Sequence, residues 1–116
     1  METFLLVNNV RSIYNTGSLF RLADAVGVSK LYLTGFTPYP KMADDERPPY
    51  VTTKIDHAIK KTALEGLGNV AWEYQTSAID VCKKLKSDGV MLVAIEQTSN
   101  SQNYLDFLKS KKFFQN

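Results

Sequence analysis

The first third of the chain alternates between strand and helix patterns, and this alternation constrains the fold more than any other feature. Residues 3–7 form a short apolar run, which favours a buried strand. The next apolar positions follow the i, i+3, i+4, i+7 spacing of a helix: Leu19, Leu22, Ala23 and Val26. Gly27 suits a helix end, and residues 31–34 form the next apolar run. This order predicts a βαβ unit, which requires parallel pairing and a right-handed crossover.

The rest of the chain continues the alternation after one long loop. Residues 36–53 hold four prolines and a charged run at 44–47, which favour an irregular segment. Four elements are expected beyond the loop: a short helix over 56–64, a strand over 70–74, a helix capped by Ser77, and a very apolar strand over 90–95. The sequence therefore predicts an α/β fold, in which helices flank a mostly parallel sheet of at least four strands.

The candidate functional side chains lie in and after the elbow between the first strand and the first helix. Arg11 and Asn15 follow the strand, and ligands of open α/β sheets bind at the carboxyl ends of strands. Arg21 lies roughly 150° around the helix from the centre of the apolar stripe, so it should face solvent or a partner. Purely structural roles stay open, because Asn15 is also predicted to cap the helix and Arg21 could pair with Asp24.

Composition narrows the class of protein. A length of 116 residues suits one domain, and 44% apolar with 22% charged residues is typical of a soluble globular chain. The net charge of +2 is only weak support for a nucleic-acid partner. The opening apolar run is too short for a signal peptide or a membrane helix. We therefore expect no membrane contact. Cys82 is the single cysteine, which excludes an internal disulfide and suits a cytoplasmic protein. His57 is the single histidine, so we expect no metal site.

One long segment also matches a known family motif. Residues 8–38 read NNVRSIYNTGSLFRLADAVGVSKLYLTGFTP. This run resembles, almost residue for residue, the first motif of the SpoU-type (TrmH-like) RNA ribose methyltransferases of the SPOUT superfamily. The resemblance continues through the segments at 61–64, 70–74 and 94–98, in the family's order and with similar spacing. It therefore covers nearly the whole chain.

The resemblance implies methyl transfer from S-adenosylmethionine to a ribose 2′-hydroxyl of RNA. The motif asparagine and arginine of the family, six residues apart, correspond to Asn15 and Arg21, which are the implied catalytic residues. A guanidinium is effectively never deprotonated, so a phosphate clamp or the stabilisation of developing alkoxide charge suits Arg21 better than a base role. Asn15 would then position Arg21 or hydrogen-bond the ribose.

The resemblance also assigns the neighbouring contacts. The elbow residues Arg11, Ser12 and Tyr14 are expected to bind RNA, with Arg11 on a phosphate. The first of the family's cofactor-lining loops corresponds to four residues, whose backbone groups would meet S-adenosylmethionine: Ile95, Glu96, Gln97 and Thr98. A homodimer is implied, since the active sites of the family lie near the subunit interface. The RNA could be transfer or ribosomal RNA.

The chain ends at Asn116, before the segment in which the family builds its cofactor knot. Residues 1–116 are therefore expected to form a single SPOUT-like domain that is incomplete at its C-terminus and truncated before the knot. Three hypotheses stay open: a methyltransferase catalytic domain in truncated form, a non-catalytic RNA-binding or dimerisation remnant of that family, and a small flavodoxin-like regulatory or scaffold domain. For the truncated form we expect poor isolated stability or obligate association.

Overall fold

The computed structural model describes residues 1–96 and 99–111, with side chains described as far as residue 107. It has a small α/β fold in which three parallel strands are flanked by helices. In chain order the elements are β1 (Phe4–Asn8), α1 (Ile13–Val26), β2 (Lys30–Thr34), α2 (Pro49–Ala63), α3 (Gly66–Asn69), β3 (Trp72–Gln75), α4 (Ala78–Ser87) and α5 (Tyr104–Lys111).

The sheet has the strand order β1-β2-β3, and both pairings are parallel. Val7 pairs with Leu33, and Leu33 pairs with Tyr74, so the three strands end at one edge. The predicted βαβ unit is therefore confirmed. Because successive side chains of a strand point to opposite faces, β1 and β2 contribute to two separate cores, whereas β3 contributes to the larger one.

The larger core lies under α1, α2 and α3. Phe20 of α1 is fully buried there beside Leu31 and Leu33, and its ring meets Trp72 edge-on at 6.2 Å between centroids. Burial of a side chain of this size contributes about 1.5–3 kcal/mol relative to exposure. The smaller core, on the opposite face, joins Tyr32 to Val81 and Leu85 of α4.

Helix α1 packs very closely against α2 at Gly17. A β-carbon at this position would lie 2.5 Å from the carbonyl oxygen of Ile59 and even closer to Oγ1 of Thr62. The Thr62 hydroxyl donates a 2.8 Å hydrogen bond to the carbonyl oxygen of Tyr14 across the same contact. Glycine at position 17 thus sets the distance between the two helices.

The sequence predicted the start of α1 incorrectly and its buried face only in part. Ser12, not Asn15, is the N-cap, because its extended backbone lets the hydroxyl oxygen accept the Asn15 N–H at 3.1 Å. Of the predicted stripe, Ala23 is buried and Leu19 packs against the core, whereas Leu22 and Val26 are 52% and 65% exposed. The buried face is rotated toward Thr16, Gly17 and Phe20, where α1 contacts α2 and the sheet.

Two later predictions also need correction. Helix α2 begins at Pro49 rather than near residue 56, because proline is well tolerated in the first helical turn, where no intrahelical partner is needed for its missing N–H. Residues 90–95 are not a strand, so the sheet has three strands rather than at least four among the described residues. A strand forms only when its backbone groups pair with a neighbour, and Met91, Leu92 and Val93 lie about half exposed instead.

Other sequence predictions are confirmed. The Ser77 hydroxyl accepts the Asp80 N–H at 3.2 Å and caps α4. Gly27 ends α1 with φ = 75°. The predicted loop over 36–53 is confirmed as far as residue 48, whereas residues 49–53 belong to α2.

Within the described part of the chain, no helix is both long enough and apolar enough to cross a bilayer.

Candidate functional site

The elbow after β1 and the turn after β2 are bonded into one unit. Asn9 has φ = 56°, a conformation that asparagine adopts more readily than most residues. Its N–H donates to the carbonyl oxygen of Thr34 at 3.2 Å, and its Oδ1 accepts the N–H of Phe36 at 3.0 Å. The side chain of Asn9 therefore joins the ends of the two strands.

Two buried threonines strengthen this junction. The hydroxyls of Thr34 and Thr37 donate to the carbonyl oxygen of Val7, at 3.3 and 3.1 Å. The Thr37 hydroxyl oxygen also accepts the N–H of Val10 at 3.1 Å. Both side chains are fully or almost fully buried, so these bonds are shielded from competition with water.

Gly35 completes the junction. It has φ = 65°, and a β-carbon there would collide with the side-chain amide of Asn9. Its carbonyl oxygen accepts a 2.6 Å hydrogen bond from the Tyr74 hydroxyl of the neighbouring strand. The peptide group that joins Gly35 to Phe36 is therefore hydrogen-bonded through both its carbonyl oxygen and its N–H.

Arg11 and Phe36 form the exposed surface of this rigid junction. The guanidinium carbon of Arg11 lies 5.8 Å from the centroid of the Phe36 ring, within the usual range of a cation–π contact. Both side chains are exposed, and 58% of Phe36 is accessible to solvent. The pair stands at the carboxyl ends of β1 and β2, where the sequence predicted a ligand site around Arg11.

The first turn of α1 continues this surface. The hydroxyl oxygen of Ser12 caps the helix, and a hydroxyl that accepts one bond keeps a proton to donate. Tyr14 and Asn15 are exposed. The carbonyl oxygen of Tyr14 accepts hydrogen bonds from Ser18 and Thr62, which fix the backbone beneath its ring.

Arg21 is exposed, as its position on the helix predicted. We find no hydrogen bond or ion pair between its guanidinium and any other described residue. Asp24, the partner that a structural role would supply, is instead hydrogen-bonded to Asn69 at 3.3 Å. Arg21 lies beside α3, since a β-carbon on Gly66 of α3 would lie 3.1 Å from the α-carbon of Arg21.

Asn15 and Arg21 do not meet on this chain. Six helical residues separate them by about 9 Å along the axis and about 120° around it. Tyr14 lies on the same flank of α1 as Arg21, whereas Asn15 lies toward Leu22 and Val26. The two predicted catalytic side chains therefore form no direct hydrogen bond with each other.

A stack of side chains, which the sequence did not reveal, contacts the tyrosine that is bonded to Gly35. Arg47 stacks on Tyr39 with 3.6 Å from the guanidinium carbon to the ring centroid, and Tyr39 stacks on Tyr74 at 3.9 Å between ring centroids. Asp45 accepts Arg47 through both carboxylate oxygens, at 2.9 and 2.6 Å. This column of Arg47, Tyr39 and Tyr74 therefore links the long loop to the turn at Gly35.

These contacts shift three pKa values. The hydrogen-bonded guanidinium of Arg47 holds the pKa of Asp45 well below its ordinary value, and Asp45 raises the pKa of Arg47 in turn. Burial raises the pKa of the Tyr39 phenol. Asp45 and Arg47 therefore stay ionised together under ordinary conditions, and their charges are used within the loop rather than offered to a ligand.

The expected cofactor-lining residues are not assembled into a pocket by the described chain. Ile95 is 97% exposed and Glu96 is exposed. Gln97 and Thr98 lie outside the described residues. An adenosine-containing cofactor needs a largely enclosed cavity, so Ile95 and Glu96 as placed here do not fit one.

Metal ligands are likewise not gathered: among residues 1–96 and 99–111 no group of three or more histidine, cysteine, aspartate or glutamate side chains could hold an ion.

No protein-family model matches the chain, and no curated protein matches it closely enough to count as a relative.

Proposed function

We propose that this chain acts on RNA as the first part of a SpoU-type ribose 2′-O-methyltransferase domain. The proposal rests on the motif at residues 8–38 and on one structural observation: Arg21 carries a full positive charge, is exposed, and has no partner among the described residues. A solvent-facing guanidinium with a fixed backbone is well suited to bind a phosphate through two parallel N–H···O bonds.

Under this proposal the residues of the elbow and of α1 contact different parts of the RNA. Arg11 holds an RNA phosphate at the carboxyl ends of the strands, and Ser12 and Tyr14 contact the same RNA strand beside it. Arg21 stabilises the charge that develops on the ribose 2′-oxygen, or clamps the adjacent phosphate. Asn15 hydrogen-bonds the ribose. Since Asn15 and Arg21 do not touch, the RNA itself would connect them.

The proposed reaction requires S-adenosylmethionine, which supplies the methyl group. Ile95 and Glu96 are exposed, so as placed they do not enclose this cofactor. We further propose that a second copy of the chain adjoins α1. Leu22 and Val26 support this, since they form an exposed apolar row beside Asn15, and such a row is more stable when covered.

Methyl transfer from radiolabelled S-adenosylmethionine to transfer and ribosomal RNA tests the activity, and resistance of the product to alkaline cleavage locates the methyl group on a 2′-oxygen. We expect Arg21→Ala to lower the rate by about 10²–10³, the usual cost of removing a group that stabilises an oxyanion. Lys83→Ala, which removes an exposed cation from α4, is the matched control and should leave the rate unchanged. Transfer at the full rate by Arg21→Ala would contradict the assigned role.

A second candidate is a non-catalytic RNA-binding remnant of the same family. The exposure of residues 91–96 favours it, because this segment encloses no ligand as placed. Calorimetric titration with S-adenosylmethionine separates the two candidates. Binding supports the enzyme, whereas RNA binding without any S-adenosylmethionine binding or methyl transfer supports the remnant.

A further inference from the structure

Phe36 is an exposed aromatic side chain on an unusually well-fixed backbone. Its own N–H is bonded to Asn9, and the preceding carbonyl is bonded to Tyr74. Gly35 has no room for a side chain, so the turn has little freedom to rearrange. A large apolar group that stays 58% exposed at a rigid turn contributes little to the core, although the fold fixes its backbone with several specific bonds.

The surroundings of the ring indicate what it could bind. Arg11 brings a positive charge to within 5.8 Å of the ring centroid, and we find no carboxylate paired with Arg11 among the described residues. An aromatic face beside an uncompensated guanidinium offers two complementary contacts to a nucleotide. The ring can stack on a base, and the guanidinium can bind the phosphate.

We propose that Phe36 is the stacking platform for one unpaired RNA base and that Arg11 holds the phosphate next to it. This inference rests on the proposed RNA function and makes it more specific: the substrate presents a single-stranded nucleotide to the junction, rather than a continuous duplex. A duplex would keep its bases stacked on one another and out of reach of the ring.

The column of Arg47, Tyr39 and Tyr74 then has an indirect role, as a support. Through the Tyr74 hydroxyl it fixes the carbonyl of Gly35, and so it restrains the backbone from which the Phe36 side chain extends. A platform of this kind gains affinity from rigidity, because less side-chain and loop freedom is lost when the base binds.

The test uses a fluorescently labelled RNA stem-loop and a second stem-loop in which every loop base has been removed while the sugar–phosphate chain is kept. Phe36→Ala should weaken binding of the intact loop by about 5- to 150-fold, the usual range for loss of one stacked base. Phe36→Trp should retain the affinity. Tyr50→Ala removes another exposed aromatic side chain, from the first turn of α2, and should have no effect.

The RNA without loop bases separates stacking from charge. The wild-type protein should bind it more weakly than the intact loop, and Phe36→Ala should cause no further loss. If wild type binds the intact loop and Phe36→Ala binds it equally well, the platform is wrong while the RNA function stands. If the wild-type protein binds neither RNA, the RNA function and the platform both fail.

Discussion

At the scale of single residues, the junction at the carboxyl ends of the strands depends on small or polar side chains whose roles are conformational. Asn9 and Gly35 both have positive φ, and the side-chain amide of Asn9 fills the space that a side chain at position 35 would need. Threonines 34 and 37 donate hydroxyl hydrogen bonds to the carbonyl oxygen of Val7. None of these residues is charged, yet together they position Arg11 and Phe36.

Gly35→Ala tests this dependence. The β-carbon would meet the amide of Asn9 in a backbone region that is strained for alanine, so we expect a loss of about 1–3 kcal/mol in the free energy of unfolding. Gly68→Ala is the matched control, because a side chain there meets nothing within 4 Å. Urea unfolding of both variants measures the difference. Equal stabilities would show that the turn is not tightly packed.

The pair of Asp45 and Arg47 predicts a specific dependence on pH. The pKa of Asp45 is lowered in the folded chain from its ordinary value of 3.8, so its stabilising effect is complete above that value and is lost as pH falls toward the folded pKa. Asp45→Asn should therefore lower the melting temperature at neutral pH, and the difference from wild type should shrink in acid. Asp44→Asn removes a neighbouring exposed carboxylate and should change little. A difference that grows in acid would contradict the assigned ion pair.

At the scale of the elements, α1 is the helix that joins the fold to the candidate site. Its buried face contacts α2 and the sheet, its first turn carries Ser12, Tyr14 and Asn15, and its outer flank carries Arg21. The N-cap decides where this helix starts, and therefore where the flank points.

Ser12→Ala should destabilise the chain by about 1 kcal/mol, the usual effect of losing a side-chain cap. Asn15→Ala should change stability much less, because the structure places Asn15 in the third helical position and not at the cap. Thermal unfolding of the two variants compares them directly. A larger loss for Asn15→Ala would restore the cap that the sequence pattern suggested.

The errors of sequence prediction in α1 and after α4 have a common physical cause. Helical spacing on α1 selects Leu19, Leu22, Ala23 and Val26, but the close contact with α2 at Gly17 rotates the buried face toward Phe20 and leaves Leu22 and Val26 exposed. Residues 90–95 have the composition of a strand, but pairing depends on a neighbour that composition does not report. In contrast, the β1-α1-β2 unit was predictable, because its apolar runs and Gly27 define it locally.

The candidate site was predictable only in part. The elbow position of Arg11 and the outward direction of Arg21 follow from strand order and helical geometry. The contacts of Asn9, of Tyr74 and of Arg47 with Tyr39 were not predicted from the sequence. The Asn9–Phe36 bond joins residues 27 positions apart, and the Tyr74–Gly35 bond joins residues 39 positions apart. Positive φ at asparagine has no signature in a single sequence.

At the scale of the whole molecule, exposed apolar side chains of the described residues form, among others, two neighbouring sets. One is the row of Leu22 and Val26 on α1, and the other is the segment Met91–Val93. Their exposure is consistent with the expectation of poor isolated stability or obligate association, which stays a prediction.

Leu22→Glu tests the proposed association through α1. A buried charge without a partner is strongly unfavourable, so this variant should be monomeric wherever wild type is a dimer in sedimentation. Ile79→Glu, which alters an exposed apolar residue of α4, is the matched control and should leave the dimer intact. Dimers of equal strength in wild type and Leu22→Glu would place the interface elsewhere.

The central claim is that the flank of α1 and the elbow face an RNA backbone through Arg11 and Arg21. The most direct measurement is the salt dependence of RNA affinity, since each phosphate contact that is lost reduces the slope of log affinity against log salt by about 0.7–0.9. We expect the variant with both Arg11→Ala and Arg21→Ala to lose roughly two such increments, and Lys83→Ala to lose none. An unchanged slope and affinity in the double variant would contradict the account.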